Sequence, residues 1–230
     1  QYNTKEDANH LLRAIKSNYN YTVDWTGTNY CGMTFDWRYQ EGYVDVSMPN
    51  YVQKALDRLN YKPKTPQFSP HHHAPIRYAQ KGARQYVQDP DTTPLLPPTE
   101  RRYVQSIVGT LLFYGRAIDY CILPALNDIS KEQAKPTVST LNRAKRVLDY
   151  VATFPDAHLR FYASDMTLHV DSDAAYLVAP KARSRIAGFF HCSSSPSQSR
   201  PLLNDGVLVE CRILRHVVAS AAEAEVAGVF

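Results

Sequence analysis

The sequence lacks long apolar runs and paired cysteines, and it contains little glycine. Of its 230 residues 9 are glycine, and its 4 cysteines lie far apart with no C-x-x-C spacing. This distribution argues against a zinc knuckle and against a disulfide scaffold. The most apolar window, residues 108–126, contains Arg116, Asp119 and Pro124. Because a lipid-facing span rarely tolerates such residues, we expect no membrane helix.

The sequence also lacks a strong excess of charge of either sign. It has 26 Lys and Arg against 22 Asp and Glu, a net charge of +4, and 44% of its residues are hydrophobic. This composition is typical of a folded chain of one or two domains and argues against wholesale disorder. The first residues show no basic and then apolar run, so we expect no signal peptide. The scattered, unpaired cysteines suit a reducing, intracellular compartment.

Hydrophobic periodicity predicts a helix and short strands in the first part of the chain. Residues 6–17 have apolar side chains at helical spacing. Aromatic and β-branched stretches predict strands at 21–25, 30–37 and 43–47. Ser47 is a good N-cap for an amphipathic helix that ends near Asn60. We therefore expect a small helix-and-hairpin unit followed by a helix.

The middle of the chain changes from an extended to a helical pattern. Residues 63–98 hold many of the 15 prolines and show no sustained period, which predicts an extended connection. Thr99 and Thr137 are then suitable N-caps for two further helices with apolar faces. We therefore expect residues 99–157 to be helical.

The last part of the chain has a period of two, which is typical of strands. Strands are predicted at 158–163, 166–173, 185–192 and 207–213, with a helix from Ser220. The expected fold class is therefore α+β, ending in an incomplete three-stranded antiparallel sheet with one helix. The expected divisions of the chain are 1–62, 63–98, 99–157 and 158–230.

Acidic side chains on one predicted strand suggest a metal site. Alternation along 168–173 puts His169, Asp171 and Asp173 on one face. Two carboxylates so close repel each other unless a cation lies between them, so the pattern suits a divalent metal. The alternative is a strand end whose acids are solvated.

The predicted C-terminal helix supplies a further carboxylate. Its apolar stripe is predicted to be Ala222, Val226 and Val229, and Glu225 falls on the near flank of that stripe. The many alanines of this helix favour a close approach to a strand. We therefore expect Glu225 to lie near Asp173, while a purely surface-exposed glutamate is the alternative.

Several short motifs, taken in order, resemble a known family. The last third of the chain contains SDAAY at 172–176, ARSR at 182–185 and ASAAEAE at 219–225. Together these motifs resemble the ribonuclease H domain of copia-type LTR retrotransposons. Upstream stretches resemble the reverse transcriptase of the same elements: the palm end at 21–33, the first thumb helix at 47–56 and the connection at 107–119.

The resemblance implies the C-terminal part of a Pol polyprotein that copies RNA into DNA and digests the RNA strand of the hybrid. Residues 1–62 would be palm end and thumb, 63–157 the connection, and 158–230 a partial ribonuclease H-like domain. The implied partners are an RNA–DNA hybrid or template–primer duplex and the remainder of the polyprotein. The implied location is the cytoplasm, inside virus-like particles, or the nucleus, with no membrane contact.

The family also implies a metal site. Its nuclease uses four carboxylates to hold two Mg²⁺ ions that activate water. By motif, Asp173 is the first carboxylate and Glu225 the second, and Asp171 is a possible outer ligand. The other two carboxylates and the Tyr-x-Asp-Asp turn of the polymerase fall outside this sequence. Because two carboxylates bind Mg²⁺ weakly, we expect little or no cleavage by this chain alone.

Basic side chains are the candidates for contact with a nucleic-acid backbone. Lys54 and Arg58 lie on the thumb-like helix, while Arg183 and Arg185 stand beside the nuclease motif. Further candidates are Lys62, Lys64, Arg143, Lys145 and Arg146, with Tyr51 or Tyr61 available to stack on a base. The alternative for the two basic clusters on helices is a solvated helix face.

Three hypotheses about function remain open at the level of the sequence. The first is an incomplete reverse transcriptase and ribonuclease H. The second is a degenerate or domesticated module that binds nucleic acid without catalysis. The third is an unrelated small metal-dependent hydrolase that uses His169, Asp171 and Asp173, which requires these three side chains to converge.

Overall fold

The computed structural model describes residues 4–71, 91–179, 183–195 and 203–229. Within these ranges the fold is mixed, with six α-helices and two antiparallel sheets of four and three strands, as the α+β prediction expects. The helices are α1 Lys5–Lys16, α2 Tyr51–Arg58, α3 Pro98–Ala117, α4 Leu123–Glu132, α5 Val138–Thr153 and α6 Ala221–Val229. The strands are β1 Asn29–Tyr30, β2 Met33–Arg38, β3 Tyr43–Ser47, β4 His158–Tyr162, β5 Thr167–Ala179, β6 Arg183–Ser193 and β7 Leu208–Ile213. No helix in the described ranges is long and apolar enough to cross a membrane.

The segment before the first sheet differs from its prediction. Residues 21–25 form no strand, because the Asp24 carboxylate accepts the backbone N–H groups of the four residues from Thr26 to Asn29 and closes a loop. The Thr26 hydroxyl and the N–H groups of Asn29, Thr26 and Thr28 lower the pKa of Asp24. The predicted strand at 30–37 is divided by Cys31 and Gly32, whose φ angles of 50° and 80° make a hairpin turn between β1 and β2.

Two of the three predicted helix caps are wrong, and the third is confirmed. Ser47 is the last residue of β3, and α2 instead has Asn50 as its N-cap. Pro97, rather than Thr99, is the N-cap of α3, and Pro98 occupies the first helical position, where the fixed φ of proline suits a helix start. Thr137 caps α5 as predicted: its hydroxyl accepts the N–H of Thr140 in a capping box.

The main core lies between the four-stranded sheet and helices α2 to α5. The sheet has the order β1-β2-β3-β4. Side chains with no exposed surface come mostly from α3, the 3₁₀ turn Tyr120–Ile122, α4 and α5: Val104, Ile107, Leu111, Ile122, Leu126, Ala144, Val147, Leu148 and Val151. By contrast, α1 has no buried residue. The helical spacing of these apolar residues is what the sequence predicts for 99–157.

The second sheet has the order β5-β6-β7, and α6 packs against it. Strand β4, at the start of the predicted division 158–230, pairs instead with β3 of the first sheet. The side of α6 that packs against this sheet also differs from the prediction. Ala222, Val226 and Val229 are exposed, and the fully buried residue of α6 is Ala224.

The segment 204–205 joins the two sheets at the outer edge of β4. The Asn204 side chain accepts the N–H of Tyr162 at 2.7 Å and donates to the carbonyls of Tyr162 at 3.1 Å and of Cys192 at 2.7 Å. The Asp205 carboxylate accepts the N–H of Arg160 at 2.6 Å, and the Asp205 N–H donates to the Arg160 carbonyl. These bonds satisfy backbone groups that an edge strand otherwise leaves open. We refer to Asn204 and Asp205 as the edge clasp.

Candidate nucleic-acid interface and carboxylate pair

Asp171 and Asp173 lie in the middle of β5, on the face that the sequence predicts. Cross-strand partners share a face, and Asp171 lies opposite Phe189 while Asp173 lies opposite Ala187. On the same face the rings of His169 and His191 stack at 5.1 Å. The Nδ1 atom of His191 is 3.8 Å from a carboxylate oxygen of Asp171. Both aspartates are exposed.

Helix α6 covers the opposite face of this sheet. Ala174 and Ile186 are directly opposite each other in β5 and β6, and they pack with the buried Ala224 of α6. A Cβ atom built on Gly228 would lie 3.6 Å from Ile186. Small residues thus set the contact, because they let the helix approach the strands more closely than its valines could.

The structure therefore does not bring Asp173 and Glu225 onto one face. Successive side chains of a strand point to opposite faces, so Asp173 points away from the face that carries Ala174 and α6. Glu225 is exposed on α6. Over the part of the chain that the structure describes, no group of three or more His, Cys, Asp and Glu side chains is arranged to hold a metal ion. Asp173 and the helix that carries Glu225 therefore lie on opposite faces of the second sheet.

The neighbouring glutamate of α6 has a local structural role. The backbone N–H of Glu223 donates to the Ser220 hydroxyl at 3.1 Å, and its carboxylate accepts the N–H of Ala219 at 2.6 Å. This reciprocal pattern resembles a capping box and satisfies N–H groups at the start of the helix. Glu223 therefore fixes where α6 begins.

The four basic residues predicted to contact a nucleic-acid backbone have different surroundings. They are Lys54, Arg58, Arg183 and Arg185. Lys54 and Arg183 are exposed, at α2 and at the start of β6. The guanidinium of Arg58 donates to the Thr110 hydroxyl at 2.8 Å, which links α2 to α3. Arg185 is mostly buried and donates to Asp128 at 2.7 Å, so it joins the second sheet to α4. Arg58 and Arg185 thus make internal contacts that the sequence did not reveal.

Three other lysines meet in one groove of about 660 Å³. Lys62 and Lys64 follow α2, and Lys145 comes from α5. The first turn of α3 forms a further wall, where Glu100 is an acidic lining residue. Among the described residues, no carboxylate forms an ion pair with any of the three ammonium groups. We refer to Lys62, Lys64 and Lys145 as the lysine groove.

Asp149 of α5 fixes the segment that carries Lys62 and Lys64. Asp149 is buried. Its carboxylate accepts hydrogen bonds from the Tyr61 hydroxyl at 2.9 Å and from the Lys64 N–H at 3.0 Å. Burial, together with the bond to Asp149, raises the pKa of Tyr61. The Tyr61 hydroxyl therefore stays protonated as a donor, and the segment carrying Lys62 and Lys64 is fixed against α5.

The two tyrosines predicted as stacking candidates are both engaged inside the protein. Tyr51 stacks on Tyr114 at 5.3 Å, and its hydroxyl donates to the Thr110 carbonyl at 2.7 Å. Tyr61 is bonded to Asp149. The sequence-based expectation that Tyr51 or Tyr61 receives a base is not supported by these contacts.

Comparisons with known proteins do not add to this picture. No protein-family model, curated protein or solved structure matches the chain. The side chains described above are therefore the basis for a functional assignment.

Proposed function

We propose that this chain binds nucleic acid through the lysine groove and does not cleave it on its own. The observation that carries this proposal is the convergence of Lys62, Lys64 and Lys145 from two distant segments onto one open groove. Unpaired ammonium groups that follow a phosphate backbone release its counterions, which drives sequence-independent binding. A solvated helix face would not require side chains from α5 and from the segment after α2 to meet.

The resemblance in the sequence supplies the class of nucleic acid. Because the motifs resemble a copia-type Pol protein, the proposed ligand is an RNA–DNA hybrid or a template–primer duplex. In this proposal α2 and α5 hold the duplex in the manner of a polymerase thumb and connection. The unit of β5, β6, β7 and α6 is a partial ribonuclease H-like domain, and the remainder of the Pol polyprotein is a partner.

The placement of the Asp173 and Glu225 carboxylates favours binding without catalysis over nuclease activity. Two Mg²⁺ ions in the family site require carboxylates that converge, since Mg²⁺ dehydrates reluctantly and demands near-ideal geometry. Asp173 points to one face of the second sheet, whereas α6, which carries Glu225, packs on the other. This arrangement favours binding over Mg²⁺-dependent cleavage, and the lysine groove is the site on which the proposal rests.

Replacing Lys62, Lys64 and Lys145 together with alanine tests the groove. We expect the affinity for an RNA–DNA hybrid to fall by about 10- to 100-fold near 0.1 M salt, because up to three phosphates are no longer neutralised. The slope of log K against log salt should decrease by roughly 0.9 for each of these phosphates. Fluorescence anisotropy of a labelled hybrid over a series of salt concentrations measures both quantities.

The control is a variant with the same charge change elsewhere. Lys5, Arg13 and Lys16 lie on α1, which has no buried residue, and their replacement with alanine also removes three positive charges. This control should lower the affinity far less than the groove variant. Equal reductions in affinity for the two variants would mean that net charge, and not the groove, accounts for binding, and would overturn the proposal.

Incubation of the hybrid with the chain and Mg²⁺ tests the second part of the proposal. We expect the RNA strand to remain intact, because the carboxylates of Asp173 and Glu225 are not on one face. Gel electrophoresis of end-labelled RNA measures cleavage. Mg²⁺-dependent cleavage that is abolished by Asp173→Asn, but not by Asp165→Asn at an exposed position outside the motif, would contradict the proposal.

A further inference from the structure

Three aromatic rings at β2 form a continuous stack that ends in solvent. Phe35 and Trp37 are 6.0 Å apart with an interplanar angle of 15°, and Trp37 and Tyr39 are 5.5 Å apart at 4°. Alternate residues of a strand share a face, which is why these three rings line up. The exposed fraction rises to 40% for Trp37 and 79% for Tyr39. We refer to these residues as the aromatic row.

The aromatic row is fixed at its inner end. Phe35 packs against the main core of the first sheet. The indole N–H of Trp37 donates to the Gly27 carbonyl at 2.8 Å. Tyr39 follows directly after β2 and rests on the Trp37 ring. Because the rings of Phe35 and Trp37 are held in place, a ligand ring that stacks on Tyr39 meets a largely preformed surface.

The surroundings of the row favour a planar, uncharged group as the ligand. The nearest basic residue in sequence, Arg38, is paired with Asp36 at 2.7 Å. Both alternate with the rings along β2 and therefore point to the other face. Glu41, in the turn beyond Tyr39, is exposed and disfavours a phosphate at this point. Attraction here must come from the ring faces, which suits a nucleobase because every base has a π-face.

We propose that Tyr39 is a stacking site for an unpaired nucleobase at a single-stranded end of the bound nucleic acid. This inference rests on the proposed nucleic-acid binding and adds to it the form of the ligand, a duplex with a single-stranded overhang. A base inside a duplex already stacks on its neighbours, so only an unpaired base can present a face to Tyr39. The lysine groove holds phosphates, while the aromatic row holds a base.

Two overhangs with equal charge test the proposal. One is an RNA–DNA hybrid with a short single-stranded overhang, and the other carries an overhang of the same length made of abasic nucleotides. Tyr39→Ala should weaken binding of the first probe by about 5- to 160-fold, the range that corresponds to removal of one base–aromatic stack. It should leave binding of the abasic probe unchanged. Tyr39→Phe should retain the affinity, because the ring face is kept.

A second tyrosine provides the matched control. Tyr30 lies on the neighbouring strand β1, is 67% exposed and has no place in the aromatic row. Tyr30→Ala should bind both probes as the unchanged protein does. Circular dichroism should show native spectra for all variants, because Tyr39 and Tyr30 are both outside the core.

The salt dependence separates this proposal from the one it rests on. The reduction in affinity of Tyr39→Ala should be the same at low and high salt, whereas the lysine variant should change the salt slope. If the chain binds the two overhangs equally and Tyr39→Ala has no effect, stacking is overturned while the groove stands. If neither probe binds at low salt, nucleic-acid binding itself is overturned and stacking with it.

Discussion

Replacement of Leu148 with alanine is expected to lower the free energy of unfolding by about 2–5 kcal/mol. Leu148 lies on α5 and has 0% exposed surface in the core that α2 to α5 form with the first sheet. The substitution removes buried methyl groups and leaves a cavity that close-packed neighbours fill only in part. Urea unfolding followed by circular dichroism measures the change.

Two further leucine variants make this result specific. Leu11 on α1 is 60% exposed, and Leu11→Ala should change the stability by less than about 0.5 kcal/mol. Leu148→Met conserves volume and should cost less than about 1.5 kcal/mol. Should Leu148→Ala unfold at the same urea concentration as Leu11→Ala, the placement of Leu148 in the main core is wrong.

Replacement of Asn204 with alanine is expected to cost about 2–4 kcal/mol. Asn204 is 3% exposed, and its side chain satisfies both backbone groups of Tyr162 and the Cys192 carbonyl. Alanine offers no replacement partner, so these groups lose the hydrogen bonds of Asn204 in a half-buried position. The cost should therefore exceed that of removing a single surface hydrogen bond.

Thermal and urea unfolding of the Asn204 variant measure this cost. The neighbouring Leu203 is 67% exposed, so Leu203→Ala is a suitable control for a change in the same segment. Hydrogen exchange of the Tyr162 amide gives a second readout, which should become faster in Asn204→Ala. An unchanged exchange rate together with unchanged stability would show that the edge clasp does not protect β4.

The elements that follow a strong local pattern could be predicted from the sequence. Helix α5 has both a capping residue, Thr137, and a regular apolar stripe, and both signals agree. Strand β3 likewise matches its prediction at 43–47. The stretch 21–25 has equally good strand residues but fails, because the Asp24 side chain offers the following N–H groups a different set of partners. A propensity pattern contains no information about that competition.

The candidate site could be predicted only in part for a related reason. Alternation within one strand places His169, Asp171 and Asp173 on one face, and this needs no tertiary information. Which face α6 covers depends on how closely the helix can approach. The alanines and Gly228 decided that contact, although Val226 and Val229 are the more apolar residues. The expected pairing of Asp173 with Glu225 assumed that the side of α6 with Val226 and Val229 packs on the sheet, whereas that side is exposed.

The proposed binding residues show the same division between local and long-range information. Lys145 and the pair Lys62 and Lys64 are visible in the sequence as basic residues, but their convergence requires the packing of α5 beside the end of α2. The spacing of the aromatic row is also visible, as ring residues two positions apart. Its exposure is not, because that depends on where the core under Phe35 ends.

The edge clasp has a consequence for anyone who shortens this chain. A piece that stops after β4 would retain the whole four-stranded sheet but lose residues 204 and 205, and the outer edge of β4 would then be bare. Bare edges recruit strands from other molecules. A truncated product of this kind would tend to precipitate even though its own core is complete. The protein is therefore best cut, fused or trimmed elsewhere, with the segment around residue 204 kept attached.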